Sequence, residues 1–166
     1  MNTIRGFTLI EVLIAMVLLG VGLLGLASLQ AYSLRNTQSA YNRSLATELA
    51  YDLADRMRAN LKEARIYPTN TYITIAPASA AAQTGCYSSL GCTSAQMAQN
   101  DLYEWNSLIT TLPSSQSIVC FDSTPNDGTS LAPMCDAVGT TYVIKIWWDD
   151  NHDGATDLSF VTSFHL

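Results

Sequence analysis

The sequence predicts an α+β fold in which one long N-terminal helix packs on a small antiparallel β-sheet head. Three observations lead there. Residues 7–67 contain no proline, and their apolar residues first run almost unbroken and then recur every fourth position. A second helical stripe ends at Pro113. Beyond it, two segments alternate apolar and polar residues and are joined by a link rich in Asp, Asn and Gly.

A chain of 166 residues has room for one domain plus an extension. Its charge changes sign along its length. Residues 1–65 hold seven bases against five acids, a net of +2, whereas the rest holds Lys145 against nine acids, a net of −8. Such a change marks two parts with different surroundings. The acidic part is a poor partner for phosphate backbones, so nucleic acid is not expected. All four cysteines, Cys86, Cys92, Cys120 and Cys135, lie in the acidic part. An even number behind a membrane-targeting segment fits disulfides made in an oxidising compartment. Of the three possible pairings, Cys86–Cys92 with Cys120–Cys135 is preferred, because each closes a local loop containing glycine. No Cys-x-x-Cys occurs and neither histidine is near a cysteine in sequence, so zinc is not expected.

From Phe7 to Leu29 the only polar side chains are Thr8, Glu11 and Ser28. As a helix those 23 residues extend roughly 35 Å, enough to cross a bilayer. Gly20, Gly22 and Gly25 weaken an exposed helix by about 1 kcal/mol each, but membrane helices tolerate them and pack closely on small residues. A secretory signal peptide would need Arg5 as its basic start and Gly25-Leu26-Ala27 as its cleavage site. A plain single-pass anchor and a buried core helix are the other readings, and the length opposes the last. Glu11 decides among them. A carboxylate in an apolar run costs about 2.5–3.5 kcal/mol at a membrane centre, less near its edge, and neither a signal peptide nor a plain anchor has a use for it.

The run Arg5-Gly6-Phe7-Thr8-Leu9-Ile10-Glu11-Val12 resembles the type III signal of type IV prepilins. The resemblance implies that residues 1–6 are a leader. It further implies that a membrane prepilin peptidase cuts between Gly6 and Phe7 on the cytoplasmic side, and that the same enzyme N-methylates Phe7. The apolar helix would stay attached, unlike the product of secretory cleavage. Cleavage would create an ammonium at Phe7, and the Glu11 carboxylate of a neighbouring subunit can pair with it, so both charges leave water together. The resemblance implies the same role for Glu11, setting axial register as a subunit enters a filament. Arg5 favours a cytoplasmic start, but Arg35 and Arg43 follow the span and blur the positive-inside count. The cysteines and the resemblance settle the expectation: N-terminus inside, remainder in the periplasm.

Past the span, residues 30–65 continue as an amphipathic helix. Tyr41, Leu45, Leu49, Leu53, Met57 and Leu61 form a slowly drifting stripe, and Asp52 and Arg56 stand four apart, able to pair. One helix is expected from Phe7 to Ala64, with Pro68 ending the pattern. Asp52-Leu53-Ala54-Asp55-Arg56-Met57-Arg58-Ala59-Asn60 resembles the end of this helix in PilV-type minor pilins.

Residues 66–166 form the expected head. Residues 76–85 carry no period and read as a loop. Thr93 and Gln96 have capping-box spacing ahead of a stripe of Ala98, Leu102, Trp105, Ile109 and Leu112. Ser117–Phe121 is a short apolar run. Tyr142, Ile144, Ile146 and Trp148 share one face of a strand, and Leu158, Phe160, Thr162, Phe164 and Leu166 share a face of the next, which pairs with it as a hairpin. A head this small gains from disulfides.

Within the hairpin link, Asp149, Asn151, Asp153, Gly154 and Asp157 occupy positions 1, 3, 5, 6 and 9 of an EF-hand loop, but position 12 is Phe160 and the flanks are strands. The segment reads as a polar turn, with calcium on Asp149, Asn151, Asp153 and Asp157 as the alternative. His152 and His165 read as solvated. Asp101 and Glu104, three apart on a helix, read as exposed surface with no acid/base role. No nucleophile motif and no phosphate-cradling loop is present, so no enzyme and no other cofactor is expected.

The resemblance therefore implies a structural minor pilin of a type IV pilus. It would join other minor and major pilins in a priming complex at the bacterial inner membrane and then reach the pilus surface, in the service of motility or adhesion. Its other partners would be the prepilin peptidase, an inner-membrane assembly platform with its cytoplasmic ATPase, and a PilY-type tip adhesin. A minor pseudopilin of a type II secretion system shares the same signal. From another class, an anchored periplasmic ligand-binding or enzymatic domain would need activity in residues 30–166.

Overall fold

The computed structural model describes residues 8–166. Helix α1 spans Leu9–Ala59, 51 residues. Its first turn is formed by the amides of Glu11 and Val12, which both donate to the Thr8 carbonyl. The chain divides into two compact units at Tyr41/Asn42. In the first, every large apolar side chain from Leu9 to Leu34 is exposed, Leu24 by 73%.

In the second unit the remainder of α1 presents a buried face of two adjacent rows. Leu49, Leu53 and Met57 form one, and Ala46, Ala50 and Ala54 the other. The expected stripe holds in its middle and fails at its start, where Tyr41 is 60% exposed. The helix also stops earlier than the periodicity predicts. Asn60 leaves helical geometry (φ −110°, ψ 49°) and a separate turn, α2, covers Leu61–Ala64. An asparagine side chain competes readily with the helical ladder. Here Asn60 Nδ2 donates to the Ser94 carbonyl at 2.8 Å and to the Tyr72 hydroxyl at 3.2 Å, tying the break to the head.

A four-residue helix, α3 (Thr71–Thr74), carries too few residues to show a period in sequence. Its N-terminus is held by Glu63, whose Oε1 accepts from the Thr71 amide at 2.8 Å and the Thr71 hydroxyl at 2.6 Å. The expected loop over 76–85 contains 3₁₀ turns at Pro77–Ser79 and Thr84–Tyr87. Helix α4 (Ser94–Ile109) begins with a full capping box between Thr93 and Gln96. Its stripe is buried throughout: Ala98, Leu102, Trp105, Ile109 and Leu112 are each at most 1% exposed. Side chains of the Leu and Ile kind contribute about 1.5–3 kcal/mol each when so buried. Trp105 Nε1 donates to the Leu49 carbonyl at 2.7 Å, so the ring packs on α1 without leaving a polar atom unsatisfied.

Strands β1 (Gln116–Phe121), β2 (Tyr142–Trp148) and β3 (Leu158–Phe164) form an antiparallel sheet in that order. The β2–β3 register pairs Tyr142 with Phe164 and Trp148 with Leu158. Tyr142, Ile144, Ile146 and Trp148 enter the core with α1 and α4, as the alternation predicts. The opposite face of β2 is buried too, because Val143, Lys145 and Trp147 are all covered. Disulfides join Cys86 to Cys92 and Cys120 to Cys135. The architecture is the α+β one expected, a long apolar helix with a three-stranded antiparallel sheet.

Candidate functional site

Two places in the chain carry more chemistry than folding requires: the start of α1, and the polar groups of the head. At the first, α1 is long and apolar enough to cross a membrane, and its most apolar stretch has no buried residue. Glu11 is exposed and is the acid of the helix's first turn. The unsatisfied amides of a helix N-terminus favour a carboxylate there. Gly6 and Phe7 lie outside the described residues.

In the head, Arg56 is the hub of a polar network between α1 and α4. Its Nε donates to Asp52 Oδ2 at 2.8 Å, the expected pair four residues apart. Its Nη1 donates to Glu104 Oε2 at 2.7 Å and stands 3.6 Å from Asp101 Oδ1. The expectation that Asp101 and Glu104 share an exposed surface is thereby corrected. Asp101 is buried and accepts from the Tyr72 hydroxyl at 2.6 Å. A spacing of three residues along one helix carries no trace of α3, which brings Tyr72 over that helix. Burial pushes the Asp101 carboxyl up, against the opposing pull of Tyr72 and Arg56. The Tyr87 hydroxyl and Arg56 hold Glu104 below the usual range. Burial likewise pushes Tyr142 up to about 12. Each carboxylate here answers a fixed donor, which is the arrangement of a structural seam.

The 149–157 link is a turn built on its own acids. Asp149 is 2% exposed, and its Oδ1 accepts from the His152 amide at 2.6 Å and the Asp153 amide at 3.2 Å, while Oδ2 accepts from the Gly154 amide at 2.8 Å. Asp157 Oδ1 accepts from the Asp150 amide at 2.7 Å. Asn151 and Asp153 bond to each other, Asn151 Oδ1 taking the Asp153 amide at 2.9 Å. His152 and Gly154 adopt positive φ of 63° and 94°. These oxygens are directed at amides of the loop itself.

Among the described residues, one group of potential metal ligands converges, Cys120, Asp122 and Cys135, whose ligand atoms lie within 4.8 Å of one another. The two sulfurs are bonded to each other, which removes the thiolates a soft metal needs. Asp122 Oδ2 lies 2.6 Å from Lys145 Nζ, an ion pair whose side chains are both fully buried. Lys145 is a buried polar centre to which the periodicity of β2 assigns no role. Its signal was available: it is the sole base after residue 65, set inside an alternating strand. A surface cleft of about 490 Å³ is lined by Ser114, Gln116, Thr129, Ser130, Leu131 and Thr156 among others, with no acid or base among its lining residues. The Ser130 and Thr156 hydroxyls there bond to each other at 2.6 Å.

Comparison with known proteins gives two matches that together run without a gap from residue 1 to residue 103. Residues 1–27 match the prokaryotic N-terminal methylation motif, and residues 28–103 match the model of the type IV pilin Tt1218. No curated protein and no solved structure matches the chain significantly.

Proposed function

Because this chain is a type IV pilin-like protein, we propose that it is a minor, structural subunit that helps prime or cap a type IV pilus. Residues 1–6 are the leader in this reading, 7–29 the membrane and filament-core helix, 30–65 its amphipathic continuation, and 66–166 a periplasmic head. The observation that supports it most is the exposed apolar surface of α1 from Leu9 to Leu34, broken near its start by Glu11. Such a surface needs lipid or other apolar helices around it. The proposed mechanism is packing. The helix leaves the bilayer for a filament core, and Glu11 pairs with the methylated ammonium of Phe7 on a neighbour, which fixes the axial register. Prepilin peptidase acts at Gly6–Phe7. The assembly platform extrudes the subunit with other minor and major pilins, and a PilY-type adhesin is the proposed partner at the tip.

The test is the intact mass and N-terminal sequence of the protein taken from membranes. The expected result is a chain starting at N-methyl-Phe7 with the helix retained. A start at Met1 reduces the protein to an anchor, and a start near Ser28 makes it a secreted domain. Deletion then distinguishes two systems: loss of twitching supports the pilus, whereas loss of enzyme secretion places the chain in a type II secretion pseudopilus.

A further inference from the structure

Lys145 reaches outward from β2 into the segment 122–140 and is fully buried there. Its ammonium donates to the Asp127 carbonyl at 3.0 Å, Asp127 Oδ1 at 3.2 Å and the Pro133 carbonyl at 2.8 Å, and it meets Asp122 Oδ2 at 2.6 Å. Asp122 is held in turn by the Thr124 amide, which donates to Oδ1 at 3.0 Å. The order of these partners along the chain is informative. Asp122 stands two residues after Cys120, and Pro133 two residues before Cys135. One ammonium thus grips both flanks of the disulfide. Between them Gly128, at φ 84°, turns the chain back so closely that a Cβ would collide with the Pro133 carbonyl. The Ala137 amide closes the far side by donating to the Phe121 carbonyl at 3.0 Å. None of these contacts is made by a sulfur atom.

A buried ion pair is often worth no more than apolar packing of the same volume, and in some proteins its use is to specify one arrangement over others. We propose that Lys145 is a positioning residue for oxidative folding: the 122–140 loop assembles around its ammonium, holds Cys120 beside Cys135, and so selects this pairing over the two that cross-link Cys120 and Cys135 to Cys86 and Cys92. The bond itself forms by thiol–disulfide exchange. Two thiols lose two protons and two electrons to a small disulfide oxidant, which leaves as two thiols, and the lysine takes no part in the electron transfer. What it supplies is the local concentration of one thiol at the other.

The test uses the full chain in detergent, reduced without denaturant by dithiothreitol, reoxidised with glutathione disulfide and quenched with iodoacetamide at intervals. In the unaltered chain, peptide mapping should recover Cys120–Cys135 as the dominant product. In Lys145→Met the same bond should form about tenfold more slowly, with crossed peptides joining Cys86 or Cys92 to Cys120 or Cys135. An unchanged rate and an unchanged set of pairs overturns the proposal. Loss of a buried cation can also unfold the head outright, so a second variant keeps Lys145 and removes the sulfurs. In Cys120→Ser/Cys135→Ser, amide exchange across 123–138 should stay within about tenfold of the oxidised protein. Exchange there at the rate of an unstructured peptide overturns the proposal whatever Lys145→Met does.

Discussion

The two parts of helix α1 have similar local structure and opposite relations to their surroundings. From Leu9 to Leu34 large apolar residues cover every side and all are exposed. From Ala46 to Met57 only one face is apolar, and it is buried, with charged Glu48, Asp52, Asp55 and Arg56 on the others. The contrast teaches that the amount of apolar surface does not say where it goes. Its distribution around the helix does: a one-sided stripe packs on a domain, and an all-round coat requires an apolar solvent.

Glu11→Ala puts the most strain on that contrast. If the exposed part belongs to a filament core, the variant should be cleaved normally yet fail to enter pili, seen as mature protein in membranes and little in sheared filaments. Wild-type levels in filaments would leave this part as a mere anchor. Next comes truncation in each part. Leu53→Ala, in the packed part, should destabilise the head by about 2–5 kcal/mol, whereas Leu24→Ala should leave head melting within about 0.5 kcal/mol of wild type. Equal losses would show that the two parts are not distinct in the way described. Thr93→Ala removes the cap of α4 and should cost about 1 kcal/mol in denaturant melts.

Acid sharpens the comparison further, because the packed part carries the Arg56 network. Glu104 titrates below its usual range, so its contribution is complete above the unfolded value of about 4.3 and is lost as pH falls through the folded value. Asp101 works in the opposite sense: its raised folded value makes its contribution decline as pH rises above about 3.9. Glu104→Gln should therefore flatten the fall in melting temperature between about pH 5 and pH 3. An unchanged slope would remove Glu104 from the network's proton balance. The smallest expected effect is at the hairpin tip. With the Asp149 and Asp157 oxygens directed at loop amides, a chelator should leave the melting temperature unchanged; a clear drop would favour calcium on the loop.

Much of this fold was legible in sequence because it rests on periodicity. The α4 stripe and its Thr93 cap, the inward face of β2 and the pairing of β2 with β3 all follow from spacing alone. What escaped depended on contacts distant in sequence. The Asn60 break is fixed by Ser94 and Tyr72, and the α3 turn by Glu63. The burial of Asp101 is fixed by Tyr72, and that of Lys145 by a loop whose course no local pattern reveals. At the start of the chain the reverse holds. Gly6, Phe7 and Glu11 stand out in the sequence, and the fold adds only the exposure of the helix whose first turn holds Glu11.

All three tryptophans of the chain, Trp105, Trp147 and Trp148, lie beyond α1 and are at most 6% exposed. Intrinsic emission on excitation near 295 nm therefore comes from the head alone, and a red shift signals its unfolding. The apolar helix contributes no tryptophan signal, so the head can be followed optically in detergent, in vesicles or in an assembled fibre without cutting the protein.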